Sequence, residues 1–326
     1  MRIMSAELDF TNAVVIASDY VYLSASLSDM SAYSPHTRLC LYDEQSDHMW
    51  SKHDVDWWTT SVAIFLERAD SDWILCAMSE EGDVEFMSAD APINEKIPGA
   101  GVFSEGAKGW GYMRTLRQIG EHLYAVGSAG QVYRRLGRDH WEHMDEGVLQ
   151  SPPVENRLLL ADIHGTDETD MYLCGAIPGA FGYEGRLFHR DGQSWTPLTT
   201  PTTEPLNAIY IDNPECIWIA GDNGTLLRGN HKDGFKDMSS VDDNQRFGSI
   251  VRFQDKLYLA SNMGLFMYDG TSIQEVRTGL VPDIQDANVV DAMDGVLWSV
   301  GTKDIVRFDG EKWERIHHPD NPRIDG

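Results

Sequence analysis

Along this chain, apolar residues come in short runs divided by polar turns, and one phrase keeps returning. Residues 123–128 read LYAVGS and residues 297–302 read LWSVGT, with five looser copies elsewhere. Aligned on their aromatic residue, the copies centre on Tyr22, Trp73, Tyr124, Tyr172, Trp218, Tyr258 and Trp298, a spacing of 40 to 51 residues. Around each aromatic stand four short segments. An apolar run such as AVVIA, LLLADI or NAIYI comes first, and a polar turn (QIGEH, MDGV) leads to the aromatic run. A glycine-bearing turn (GSAG, GDNG) then opens an alternating segment such as QVYRRL, and a turn of the DGQSW or DGEKW kind precedes a last short run. Glycine, aspartate and asparagine supply the backbone angles that tight hairpins need, so each unit predicts four antiparallel strands. The aromatic strand is apolar at successive rather than alternate positions, which requires cover on both faces. Helical periodicity is nearly absent.

Repeats of this length form solenoids or propellers. An open solenoid needs capping repeats, and neither terminus resembles a cap. The expected fold is therefore all-β, a seven-bladed β-propeller of four-stranded antiparallel blades, built as a single domain over residues 1–326. The blades are expected near 11–56, 57–104, 109–150, 154–200, 204–242, 245–282 and 286–319. Whether residues 1–10 lend a strand to the last blade stays open.

The cadence LYAVGSAGQVYRR and LWSVGTKDIVRFDGEKWERI resembles the bacterial propeller repeats grouped as WD-repeat/YVTN/BNR-like. The resemblance spans nearly the whole chain and implies a fold, not an activity. The Gly-His and Trp-Asp pairs of true WD repeats do not recur. The sialidase Asp-box has one residue between Asp and Gly, whereas Asp191-Gly192 and Asp309-Gly310 are adjacent, so no catalytic residue carries over. These turns are expected to close hairpins, with Trp195 and Trp313 covering them.

Charge changes the picture most. Against 52 acidic residues stand 26 basic ones, a net charge of −26. Such a surface repels phosphate backbones and anionic lipid, which argues against nucleic-acid and membrane partners. It serves solubility or draws in a basic protein partner, and both readings stand. Cys40, Cys76, Cys174 and Cys216 lie singly in or beside apolar runs and read as buried free thiols. The N-terminal region has no basic segment followed by a signal-length apolar core, and no run approaches the roughly 20 apolar residues of a membrane helix. The expected location is cytoplasmic.

Chemistry-bearing motifs are sparse. His140 and His143 lie three apart on an expected strand and so point to opposite faces, unable to share an ion. His317 and His318 fail likewise. Asp167, Glu168 and Asp170 could hold calcium but lack the ligand spacing of a calcium loop. No nucleophile elbow or phosphate-binding glycine loop is present. No metal, cofactor or catalytic residue is expected, and the chain reads as a binding protein rather than an enzyme.

In a propeller blade, the loop between strands two and three opens on the same face as the connector to the next blade. The longer irregular segments fall mainly there, and such a face usually carries function. Its aromatic residues are Tyr33, Trp57, Trp58, Phe103, Trp110, Phe181, Tyr183 and Phe247, with Asp54, Asp56, Glu105, Asp242 and Asp243 near them. Aromatics ringed by acids suit a protein-binding hot spot. Trp57 and Trp58 can equally fold back to plug the ring. The reading is a protein-binding adaptor or inhibitor, concretely an immunity protein that blocks a basic toxin such as a nuclease. A carbohydrate-binding protein or glycan-active enzyme using the central funnel is the alternative, and a structural role in a larger assembly is a third.

Overall fold

The computed structural model describes residues 6–30, 34–67, 73–87, 91–152, 154–240 and 244–324. Their strands form seven four-stranded antiparallel sheets, each built from consecutive strands, and no helix occurs among them. The fold is a seven-bladed β-propeller. Blades 1 to 7 span residues 8–55, 59–96, 113–143, 159–198, 206–237, 247–275 and 289–315.

Burial follows the sequence pattern. The second strand of blade 5 (Cys216–Gly221) is buried at every position, and those of blades 2 (Ile74–Ser79) and 3 (His122–Gly127) at every position but the first. A strand covered on both faces has no polar side to show, which is why these runs read as continuously apolar. Two of the fourth strands do the reverse: Gly234–Asp237 and Trp313–Arg315 contain no buried residue.

The chain divides into two compact units, residues 63–247 and residues 1–62 with 248–326; the first strands of blades 2 (Thr59–Phe65) and 6 (Phe247–Phe253) have residues in both. In the 63–247 unit, Phe65, Met78, Phe86 and Leu123 pack blade 2 on blade 3. Tyr124, Leu160, Leu173 and Trp195 pack blade 3 on blade 4, and Tyr172, Cys174, Ile209 and Ile219 pack blade 4 on blade 5. A buried ion pair adds direction to the first interface: Arg135 of blade 3 meets Glu95 of blade 2 at 2.6 Å, and Trp141 Nε1 donates to the same carboxylate at 2.9 Å. Asp162 is enclosed between blades 4 and 5, where it accepts the Ile209 and Ile163 amides, each at 2.9 Å. Burial pushes its carboxyl upward, against the pull of Arg117.

In the other unit, Asp291 of blade 7 clips blade 1 in the same way, accepting the Val15 amide at 2.9 Å. Blade 7 draws all four strands from residues 289–315, and among the described residues no N-terminal strand joins it. The seal comes from a side chain instead. Asn321 Oδ1 accepts the Leu8 amide at 2.7 Å, and its Nδ2 donates to the Leu8 carbonyl at 3.1 Å. His318 lies beside this seal, its ring 4.5 Å from Trp50 and 5.9 Å from Phe10. Burial lowers its pKa to about 4.

The Asp-Gly turns behave as expected at their aspartates: Asp309 Oδ1 accepts the Glu311 and Lys312 amides, and Asp269 Oδ1 those of Thr271 and Ser272. Trp195 does not cover its own turn. It is fully buried against blade 3, with Nε1 donating to the Met144 carbonyl at 2.6 Å. All four cysteines are buried and free, and burial pushes the Cys40 thiol up to about 12.

Candidate functional site

The residues expected at one end of the blades fall into three groups. Tyr33, Asp242 and Asp243 lie outside the described residues. In the unit containing blade 1, Trp57 is half-buried and its carbonyl accepts the Thr37 hydroxyl at 2.7 Å, while Trp58 is exposed. Asp54 is held in a two-pronged ion pair by Arg38 at 2.7 and 2.8 Å, and Asp56 is exposed. Phe103, Glu105, Trp110, Phe181 and Tyr183 belong to the 63–247 unit.

Phe247 corrects the sequence reading. It is 0% exposed and opens the first strand of blade 6, so its ring belongs to the core rather than to an exposed loop. Adjacency to a connector made it resemble a loop residue, but the strand starts one position earlier than its polar neighbours suggest. Trp110 is half-buried too. Its ring stands edge-on to His143 at 5.3 Å, and His143 is fixed in turn by Tyr133 and by Asp145 at 2.7 Å.

Phe103 is 83% exposed, yet its backbone is pinned. Glu81, in the turn between the second and third strands of blade 2, sends Oε2 into the loop. There it accepts the amides of Val102, Phe103 and Ser104 at 3.0, 3.0 and 2.9 Å and the Ser104 hydroxyl at 2.7 Å. Lys96 Nζ ties the same loop to Asp83 at 3.0 Å, to the Glu81 carbonyl and to Ser104 Oγ. Burial alone would raise the Glu81 pKa, but the bonds from Ser104, Phe103 and Val102 outweigh it and hold the carboxyl below its usual value. An apolar ring is thus displayed on a backbone already ordered, which lowers the entropy lost on binding. Sequence reasoning found Phe103 but not Glu81, because a carboxylate that caps a distant loop leaves no local motif.

Phe181 is displayed differently. The second strand of blade 4 (Asp170–Gly179) and the third (Gly182–Arg190) stay paired out to Gly179 and Gly182. The first strand stops pairing at Ala176 and the fourth begins at Leu187. Residues 177–179 and 182–184 therefore form a two-stranded finger, reaching about 10 Å past the sheet at roughly 3.3 Å per residue. At its tip Phe181 is fully exposed, and Tyr183 is 54% exposed. Glu184 and Arg186 pair at 3.0 Å at its base.

Within the acidic segment 162–170 the first three carboxylates take separate partners. Asp162 is the enclosed clip; Asp167 Oδ1 caps its own turn through Thr169; Glu168 pairs with Arg134 and His122 and accepts from Tyr124.

No protein-family model matches the chain. Several solved propellers share its shape at low identity. The YCF48 structure with a D1 peptide superposes with a TM-score of 0.63 at 12% identity, covering 93% of this chain and 94% of that one. A catalytically inactive virginiamycin B lyase from Staphylococcus aureus gives 0.64 at 8% identity, covering 94% and 96%. The WD40 propeller domain of Doa1 gives 0.59 at 10% identity, covering 93% and 92%. These likenesses establish the fold alone. One curated sequence is much nearer: the immune protein Tsi7 of Pseudomonas aeruginosa is 30% identical over 264 residues, 80% of this chain and 81% of that protein. At that identity and coverage, this chain belongs to the family of the immune protein Tsi7.

Proposed function

We propose that this chain is an immunity protein that neutralises a basic protein toxin by occupying it, with Phe103, Phe181 and Tyr183 as apolar anchors. Family membership carries the immunity reading. The choice of anchors rests on the pinned Phe103 loop and on the finger that bears Phe181, since exposed aromatics on ordered backbone are the groups that dominate protein interfaces. The basic character of the toxin is inferred from the net charge of −26, which would speed the approach of a cationic partner. Binding, rather than catalysis, is the mode of action, and the buried free thiols suit a cytoplasmic site.

The test is a stopped-flow measurement against the toxin that co-purifies with the chain from its host. The association rate should fall at least about tenfold between low salt and about 0.5 M salt, because steering between opposite charges is screened. An association rate indifferent to salt would remove the basic-partner reading and leave the immunity reading intact.

A further inference from the structure

At the end of blade 4 away from the Phe181 turn, three side chains from blades 4 and 5 converge. Asp170 opens the second strand of blade 4, His189 lies near the end of its third, and His231 follows the third strand of blade 5 (Leu226–Asn230). His189 Nε2 stands 2.9 Å and His231 Nδ1 3.7 Å from Asp170 Oδ1, and one ligand-type atom from each residue lies within 4.8 Å of the other two. The side chains of His189, Asp170 and His231 are 8%, 17% and 27% exposed, so the cluster opens to solvent on the His231 side.

We propose that Asp170, His189 and His231 form a binding site for a zinc-class divalent ion. Two imidazoles and one carboxylate suit zinc, cobalt or nickel, whereas calcium and magnesium favour all-oxygen sites. Around a tetrahedral zinc with bonds of about 2.0–2.1 Å, ligand atoms stand about 3.3 Å apart. The Asp170–His189 pair has only to open by a few tenths of an ångström. The ion takes the place of the hydrogen between His189 Nε2 and Asp170, and the neutral imidazole then carries its single proton on Nδ1, any second proton passing to water.

The two rings bear on the order of events. They are stacked with centroids 3.8 Å apart at 11°. Parallel rings cannot both direct a lone pair at one ion, which must sit near the plane of each. His231 is the ring that turns, because it lies on a turn and is the most exposed of the three; its Nδ1 exchanges the Tyr172 hydroxyl, 2.9 Å away, for the ion. Three protein ligands leave a fourth position for water. The ion would join blade 4 to blade 5 at the end of the sheets away from Phe181, and an acidic chain draws divalent cations toward it.

The experiment titrates the full chain, stripped with a chelator, with zinc chloride in a calorimeter and follows thermal unfolding in parallel. One zinc per chain should bind in the micromolar range, and about 100 µM zinc should raise the unfolding midpoint by a few degrees, with calcium giving no rise. Asp170→Asn and His189→Gln should each weaken zinc at least about 30-fold. His231→Ala, which alters only a half-exposed turn, should fold normally and weaken zinc about tenfold or more. His140→Ala, at an exposed position outside the cluster, should change nothing. Absence of a zinc isotherm, equal affinity in His231→Ala, or an equal response to calcium would overturn the proposal.

Discussion

The second-to-third-strand hairpins of blades 3 and 4 are neighbours in sequence order and occupy the same place in their sheets, yet one is locked and the other is free. In blade 3 the turn at residues 127–131 is held from every side. Ala129 donates to the Leu158 carbonyl at 2.6 Å and accepts the Gln150 amide at 2.8 Å; the Ser128 amide donates to Tyr112, and the buried Gln131 side chain donates to Gly111 and Ser128. In blade 4 the hairpin runs beyond its flanking strands and puts an unshielded phenylalanine at its tip. Small and amide residues make the first turn part of the scaffold. The second spends a large apolar side chain on solvent, which folding alone does not require. The difference separates residues that hold the protein together from residues available to a partner.

The sharpest way to break this contrast is to add one carbon to a glycine in each turn. Both Gly130 and Gly182 have positive φ, +77° and +141°. A Cβ at Gly130 would stand 2.2 Å from the Val148 carbonyl oxygen, whereas one at Gly182 meets nothing within 4 Å. Gly130→Ala should cost about 3–5 kcal/mol by urea unfolding, from backbone strain and overpacking together. Gly182→Ala should cost about 1–2 kcal/mol, from φ alone. Equal costs would show that the finger is as tightly framed as the locked turn.

Acid probes the anchored parts from another direction. His318 is held neutral by burial, with its pKa lowered to about 4 from 6.5. The unfolded chain therefore binds the extra proton first, so this group's contribution is intact above pH 6.5 and is lost as pH falls toward 4. The loss at pH 4 should be about 3 kcal/mol, and His318→Gln should flatten that part of the stability profile, read by urea midpoints across the window. A slope unchanged in the variant would mean that another group carries the acid sensitivity.

The smallest effect on folding should come with a large one on binding. Phe181→Ala should leave the unfolding free energy within about 0.5 kcal/mol, since the ring is fully exposed. Dissociation of the toxin complex should quicken about 30-fold, the loss expected of an interface anchor of about 2 kcal/mol. Unchanged dissociation would remove Phe181 from the interface and leave the finger unexplained.

Much of the fold was readable because burial on two faces forces a residue pattern that cannot be hidden. The run CIWIAG at residues 216–221 has no polar position and occupies a strand with no exposed one. The exposure of Phe103, Phe181 and Tyr183 was readable because they stand in segments too long for a turn. Phe247 was not, because a core residue at the first position of a strand looks the same in one dimension as a loop aromatic beside it. Glu81, Asn321 and the Asp170–His189–His231 cluster were also invisible. Each acts on residues that are distant in sequence and brought close only by the folded chain, and Asn321 meets Leu8 across 313 positions.

That last distance has a consequence for folding time. Sheets formed from adjacent hairpins close short loops and assemble quickly, whereas the Leu8–Asn321 junction must wait for chain segments at opposite extremes of the sequence to meet. Until it forms, the first strand of blade 1 has an amide at Val15 and a backbone at Leu8 with no acceptor or donor from blade 7, and such open edges invite pairing between molecules. Closing this junction covers backbone groups that would otherwise be open to pairing with a second molecule.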